Sequence, residues 1–254
     1  MLRKTRNIVA LAAAFALAES AHAAMTLNTT RVIFDTRFKE ASLEAFNRSG
    51  QPILLQSWLE SDTDAQAPVP FAVSPPLAKM PGESRQKLRV LYQGSGVPGD
   101  RESVFWLNVQ EIPQSSQQQN VLQLAIRQRI KVFYRPPGLQ GTANEAPAQV
   151  AWQLVSTPAG TVVRAHNPSA YHVNLAQLKL AASGYAGEMT ESLMIRPGET
   201  RDIAINVPAP RTQVRLDVRT INDFGASVAH SGQVNFTGTS HVAAGNASTD
   251  NSNP

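Results

Sequence analysis

The stretch Arg135-Pro136-Pro137-Gly138 constrains this chain more than any other. Each proline fixes φ and offers no backbone donor, so neither a strand nor a helix continues through it. On either side lies a series of short segments rich in β-branched and aromatic residues. Before it come Thr26–Phe34, Ser42–Asn47, Ile53–Leu59, Phe71–Ser74, Gln86–Tyr92, Ser103–Ile112 and Val121–Tyr134. After it come Val150–Val155, Thr161–Asn167, Val173–Leu180, Ser192–Ile195, Arg201–Val207, Arg215–Ile221 and Gly232–Phe236. The separators are turn-forming clusters such as Ser49-Gly50-Gln51-Pro52, Ser74-Pro75-Pro76 and Pro98-Gly99. About seven strands in ~100 residues is the strand count of an immunoglobulin-like sandwich. The chain therefore reads as all-β, with two immunoglobulin-like β-sandwich domains at 24–136 and 137–237.

Only the first 23 residues read as helical. Arg3, Lys4 and Arg6 precede an apolar run from Ile8 to Ala18, and Ala21-His22-Ala23 offers small residues at a cleavage site. That is the layout of a secretory signal peptide at 1–23. Its apolar run is shorter than the ~20 residues that span a bilayer, so no stable membrane insertion is expected. Removing it takes away three bases and Glu19, and the net charge falls from +4 to +2. With no block of like charges left, nucleic acid is not an expected partner. The product is an exported protein, periplasmic or secreted. From residue 238 to 254 small and polar residues dominate, and a disordered tail is expected there.

The absence of Cys excludes disulfide scaffolds, Cys-ligated zinc sites, iron–sulfur clusters and thiol nucleophiles. Of the five His, His22 and His241 lie in the signal peptide and the tail. His166 and His172 are six apart across an Asn-Pro turn, a spacing that fits no common zinc motif. No nucleophile elbow or phosphate-binding loop occurs. No catalytic residues, metal ligands or cofactors are expected, and the chain is not read as an enzyme.

The segment Leu122 to Tyr134 alternates with period two. Leu122, Leu124 and Ile126 share one face; Gln123, Ala125 and Arg127 share the other. Two readings fit this pattern. One is a half-buried sandwich strand; the other is an edge strand that offers its backbone and an aliphatic row to a partner's incomplete sheet.

Five motifs in order resemble those of the periplasmic pilus (fimbrial) chaperones of the chaperone–usher pathway. Asp100-Arg101-Glu102-Ser103-Val104-Phe105-Trp106-Leu107-Asn108-Val109-Gln110-Glu111-Ile112-Pro113 is similar to the family signature, and Arg129 to Pro136 follows at the expected spacing. Thr30 to Phe34, Asn167-Pro168 with Tyr171, and Ile221 to Gly225 complete the set. The resemblance implies two immunoglobulin-like domains set at an angle. It implies a chaperone that folds and caps pilus subunits by lending them a β-strand, then delivers them to an outer-membrane usher. Leu122, Leu124 and Ile126 would be the donated row. Arg31 and Lys131 would anchor the subunit's C-terminal carboxylate in the cleft between domains. Glu102, Arg135 and Asp223 would form an interdomain charge network that holds the angle.

Lys131 has the opposite parity to the aliphatic row. Either a β-bulge near Arg127–Ile130 resets the alternation, or strand twist and domain placement bring the cleft to Lys131. The short polar connection from Pro113 to Asn120 resembles that of the short-loop branch of the family. A self-capping dimer is a further expectation, since an exposed aliphatic edge needs cover. The competing reading is an immunoglobulin-like structural or adhesive surface subunit. Such a subunit would lack its last strand and would carry a free N-terminal extension of alternating apolar residues.

Overall fold

The computed structural model describes residues 25–114, 124–158, 160–182, 185–188, 192–204 and 214–244. The expected signal peptide, Leu122 and the polar connection from 115 to 120 lie outside the described residues.

The first domain is a sandwich of two sheets. One has the order β1-β3-β7-β5, from β1 (Met25–Leu27), β3 (Glu40–Asn47), β7 (Arg85–Tyr92) and β5 (Phe71–Ser74). The other has the order β2-β9-β8-β4-β6, from β2 (Arg31–Asp35), β9 (Arg127–Arg135), β8 (Ser103–Pro113), β4 (Ile53–Ser61) and β6 (Leu77–Met80). The alternation in β8 and β9 sends Phe105, Leu107, Val109, Ile130, Val132 and Tyr134 inward against Val32, Phe34, Leu55 and Leu88. Phe34, Phe71, Tyr92 and Tyr134 close one end of this core with ring centroids 4.6–6.3 Å apart.

The second domain has its own core around Trp152, Leu154, Leu178 and Leu216, and the two clusters share no residue. A short helix α1 (Ala146–Gln149) precedes it. One sheet has the order β10-β11-β15, from β10 (Ala151–Thr157), β11 (Gly160–His166) and β15 (Thr200–Ala204). The other runs β13-β12-β16-β17-β18, from β13 (Tyr185–Glu188), β12 (Val173–Ala182), β16 (Val214–Ile221), β17 (Ser227–Val234) and β18 (Ala243–Ala244). β14 (Leu193–Ile195) also pairs with β12.

Three expectations change. The strand expected over Thr26–Phe34 is two strands, β1 in one sheet and β2 in the other. The polar residues Asn28 and Thr29 make the corner: Asn28 Oδ1 accepts from the Glu44 amide at 2.9 Å, and Thr29 Oγ1 donates to the Arg31 carbonyl at 2.7 Å. The strand expected from Val121 begins at Arg127 among the described residues, although the Ile126 carbonyl still accepts from the Glu111 amide at 3.0 Å. The tail expected from 238 begins later. Ser240 bridges Trp152, Val242 is buried in the second core, and Ala243–Ala244 pair with His230 and Ser231. A buried valine and a strand bridge fix what composition alone reads as a polar run; residues 245–254 lie outside the described residues.

Candidate functional site

The corner at Asn28-Thr29-Thr30 delivers β2 alongside β9 in parallel, with Arg31 opposite Lys131 and Asp35 opposite Arg135. Neighbouring strands in register point paired residues to the same face. Val32 and Phe34 go to the core with Val132 and Tyr134, so Arg31 and Lys131 emerge together on the outer face. The β8–β9 register runs from Ser103–Tyr134 to Gln110–Arg127 without a shift. The parity question therefore resolves without a bulge in β9. Lys131 shares its face with Arg127 and Arg129, and that face turns toward the second domain.

There the two cations line a cleft of about 620 Å³ with Asp62, Trp106, Asn174 and Arg196. Lys131 Nζ donates to Asn174 Oδ1 at 2.6 Å and lies 5.5 Å from the Trp106 ring centroid. Arg31 Nη1 donates to the Ile221 carbonyl at 3.2 Å, and its guanidinium lies over Phe133. Arg31 Nε is buried with no hydrogen-bond partner. Neither cation forms an ion pair with a described residue. Burial pushes the Lys131 ammonium below its ordinary pKa, and the adjacent Arg31 charge pushes it the same way. Burial likewise lowers the Arg31 pKa, against the pull of Asp223 and Glu102. Two half-buried cations side by side, without counter-charge and with an unused donor, suit an incoming anion.

β9 also carries an open edge. β2 covers Lys131 to Arg135, whereas no described strand pairs with Arg127 to Ile130 on that side. Leu124 is 64% exposed, Ile126 is half-buried, and neither belongs to the first core. The aliphatic row that begins at Leu122, outside the described residues, thus continues through two side chains that the sandwich does not use.

The charged trio expected between domains is assembled. Arg135 Nε donates to Glu102 Oε1 at 2.7 Å, and its two terminal nitrogens grip both Asp223 oxygens at 2.7 Å. The Glu102 side chain is 1% exposed. Its other oxygen accepts from the His172 amide and lies 2.8 Å from His172 Nδ1. Burial works against the Arg135 charge, but the hydrogen bonds and charges of Asp223 and Glu102 outweigh it and raise its pKa.

Sequence reasoning passed over the rest of the interface. His172 was set aside as a turn histidine, yet it is the second-domain donor to Glu102. Asp62 accepts from Trp106 Nε1 at 2.9 Å and pairs with Arg196 of the second domain. Burial pushes the Asp62 pKa up, but the hydrogen bonds from Arg196 and Trp106 pull it further down, and it ends below its ordinary value. A lone Asp in a Ser-Asp-Thr-Asp turn carries no local signal of a partner 134 positions away. Among the described residues there is no cluster of three His, Asp or Glu that could hold a metal, and no helix long and apolar enough to cross a membrane.

Residues 24–140 match the family model described as pili and flagellar-assembly chaperone, PapD N-terminal domain; residues 145–232 match that of the pili assembly chaperone PapD, C-terminal domain. The chain is 33% identical over 241 residues to the probable fimbrial chaperone YadV of Escherichia coli strain K12, a match that covers 90% of this chain and 98% of that protein. The crystal structure of the YadV chaperone superposes with a TM-score of 0.73 at 32% identity, covering 83% of this chain and all of that one. The complex of the Salmonella enterica SafA pilin with the SafB chaperone contains a chain similar to this one, with a TM-score of 0.70, 26% identity and coverage of 85% and 97%.

Proposed function

Because this chain belongs to the pili-assembly chaperone family through both of its domains, we propose that it works in the periplasm, where it completes the sandwich of a pilus subunit with its own strand and passes that subunit to an outer-membrane usher. The observation that carries the strand-donation reading is the open edge of β9 ending at a pair of uncompensated cations. A client strand laid along Arg127–Ile130 occupies the line of β2 and stops where β2 begins, at Arg31. Only a strand parallel to β9 brings a C-terminal carboxylate to that end. An antiparallel one would bring an ammonium against Arg31 and Lys131. The carboxylate takes the unused Arg31 donor and the Lys131 ammonium, and each charge-assisted bond contributes ~1.5–3 kcal/mol. Leu122, Leu124 and Ile126 enter the client's apolar groove, where each buried side chain contributes about 1.5–3 kcal/mol.

Co-expression with the subunit encoded nearby, followed by co-purification from periplasm, tests the reading. Arg31→Ala and Lys131→Ala should each reduce the subunit recovered by at least tenfold while leaving the amount of folded chaperone unchanged. Recovery of the subunit at wild-type yield with both variants would refute the carboxylate anchor.

A further inference from the structure

Strand β8 sends Phe105, Leu107, Val109 and then Glu111 to the same side, so an apolar row ends on a carboxylate. Glu111 is 4% exposed, and its Oε2 atom is buried with no hydrogen-bond partner. The Met25 amide donates to this carboxyl, and no charged group acts on it; burial alone pushes its pKa up. Its neighbours across the ladder are Leu55 and Ile126. A buried carboxylate with one vacant oxygen and no counter-charge is costly as an anion. Met25 itself is fixed. It is 1% exposed, pairs with Asn47, and its carbonyl accepts from Gln128 Nε2 at 2.9 Å.

We propose that Glu111 is the receptor for the α-ammonium created when the chain is cut between Ala23 and Ala24. The nitrogens of Ala24 and Met25 are consecutive along the backbone. With the Met25 amide already on the carboxyl, an ammonium one peptide unit away reaches the vacant oxygen and grips the carboxylate at two points, the capture of a chain terminus by short-range polar groups. In the uncut chain that nitrogen is a neutral amide with 23 residues attached, so the ion pair forms only after processing. Signal removal thereby adds stability to the first domain once it is outside the cytoplasm. The inference rests on cleavage after Ala23. The ammonium gains a partner in the folded state, so its pKa rises on folding; the stabilisation is complete below the unfolded value of about 8 and fades as pH rises through the raised one.

The test uses the mature protein purified from periplasm, with its first residue fixed by intact mass. Selective acetylation of the α-amine is compared in wild type and in Glu111→Gln. Acetylation should lower the wild-type Tm by about 4 °C or more, the shift expected for ~1 kcal/mol in a domain of this size, and should leave Glu111→Gln within a degree. In parallel, the α-amine pKa measured by NMR on wild type should lie at least about one unit above the usual 7.7–8.0. An equal Tm loss in both proteins, or an amine titrating in its usual range, overturns the proposal. The second readout decides the matter should Glu111→Gln fail to fold. A mature protein that begins elsewhere refutes the cleavage position alone; a chain made to begin at Ala24 then tests Glu111 directly.

Discussion

Replacing Arg135 with Met keeps the length and packing of the side chain and deletes its charge. The wild-type guanidinium makes three hydrogen bonds of 2.7 Å to two carboxylates. Glu102 is then left in the interior with only its two contacts to His172. Removing one partner of a buried ion pair costs ~3–5 kcal/mol. The full figure does not apply here, since the Asp223 side chain is 27% exposed and water takes over part of its solvation. A loss of about 2–3 kcal/mol remains, mostly from Glu102. Urea unfolding followed by tryptophan fluorescence should register this as a midpoint shift of roughly 1 M or more, given slopes of ~1–3 kcal/mol/M. Arg37→Met is the internal control, because Arg37 pairs with Asp35 on the surface and should cost at most ~1 kcal/mol. Adding Glu102→Gln to Arg135→Met removes the orphaned charge and should recover at least about 1 kcal/mol. Small-angle scattering should show a broader distribution of interdomain distances in the single variant. If Arg135→Met costs no more than Arg37→Met and the scattering is unchanged, the network does not set the domain angle.

Three further outcomes follow from single residues. Asp62 titrates below its unfolded value of about 3.9, so its tie to Arg196 and Trp106 holds above that pH and is lost as pH falls through the lower folded value. Wild type should then lose Tm more steeply than Asp62→Asn between pH 5 and pH 3 (on the order of the carboxylate range), and parallel curves would exclude the tie. Leu124→Asp should stay within about 0.5 kcal/mol of wild type in urea, as a surface change does. The same variant should abolish recovery of the subunit, and retention of the subunit would remove Leu124 from the donated row. Gly225 has φ +81°, and a Cβ there would lie 2.6 Å from Thr30 Oγ1. Gly225→Ala should cost ~1–2 kcal/mol, and Thr30→Ala should restore the steric share in the double variant; no recovery would refute the contact.

What the sequence conceals here follows from how far apart partners lie. Alternation is local, so the inward rows of β8 and β9 were legible residue by residue, and so was the conflict between Lys131 and the aliphatic row. The split of Thr26–Phe34 was not, because a sheet change at Asn28-Thr29-Thr30 costs no break in β propensity; Thr is as good in a strand as at a corner. β6 was missed for a similar reason. Pro75-Pro76 marks a turn, and the four residues after it form a strand only because β4 offers an edge. In the site, Arg31, Lys131, Glu102, Arg135 and Asp223 were found through motif context. Asp62, His172, Asn174 and Arg196 belong to the same interface but sit in no pattern, and only the packing of one domain on the other brings them in.

That packing bears on why strand donation from the first domain needs a second. Arg31 and Lys131 stand on neighbouring first-domain strands, yet both are steadied from the other side: Arg31 by the Ile221 carbonyl, Lys131 by Asn174. Ile221 ends β16, two residues before Asp223, and Asn174 lies two residues after His172. Each second-domain contact to an anchoring cation therefore shares a short, rigid stretch of backbone with a second-domain contact to the charge network. A shift of the domains that breaks Arg135–Asp223 or His172–Glu102 moves Ile221 and Asn174 with it and releases both cations. Long, flexible side chains without such props would lose ~1.5–2 kcal/mol of rotamer freedom each on binding a carboxylate. Held from two domains, they meet the client already ordered. On this reasoning Arg135→Met weakens client capture although Arg135 lies outside the path of the client strand, through the same loss of domain alignment that scattering reads.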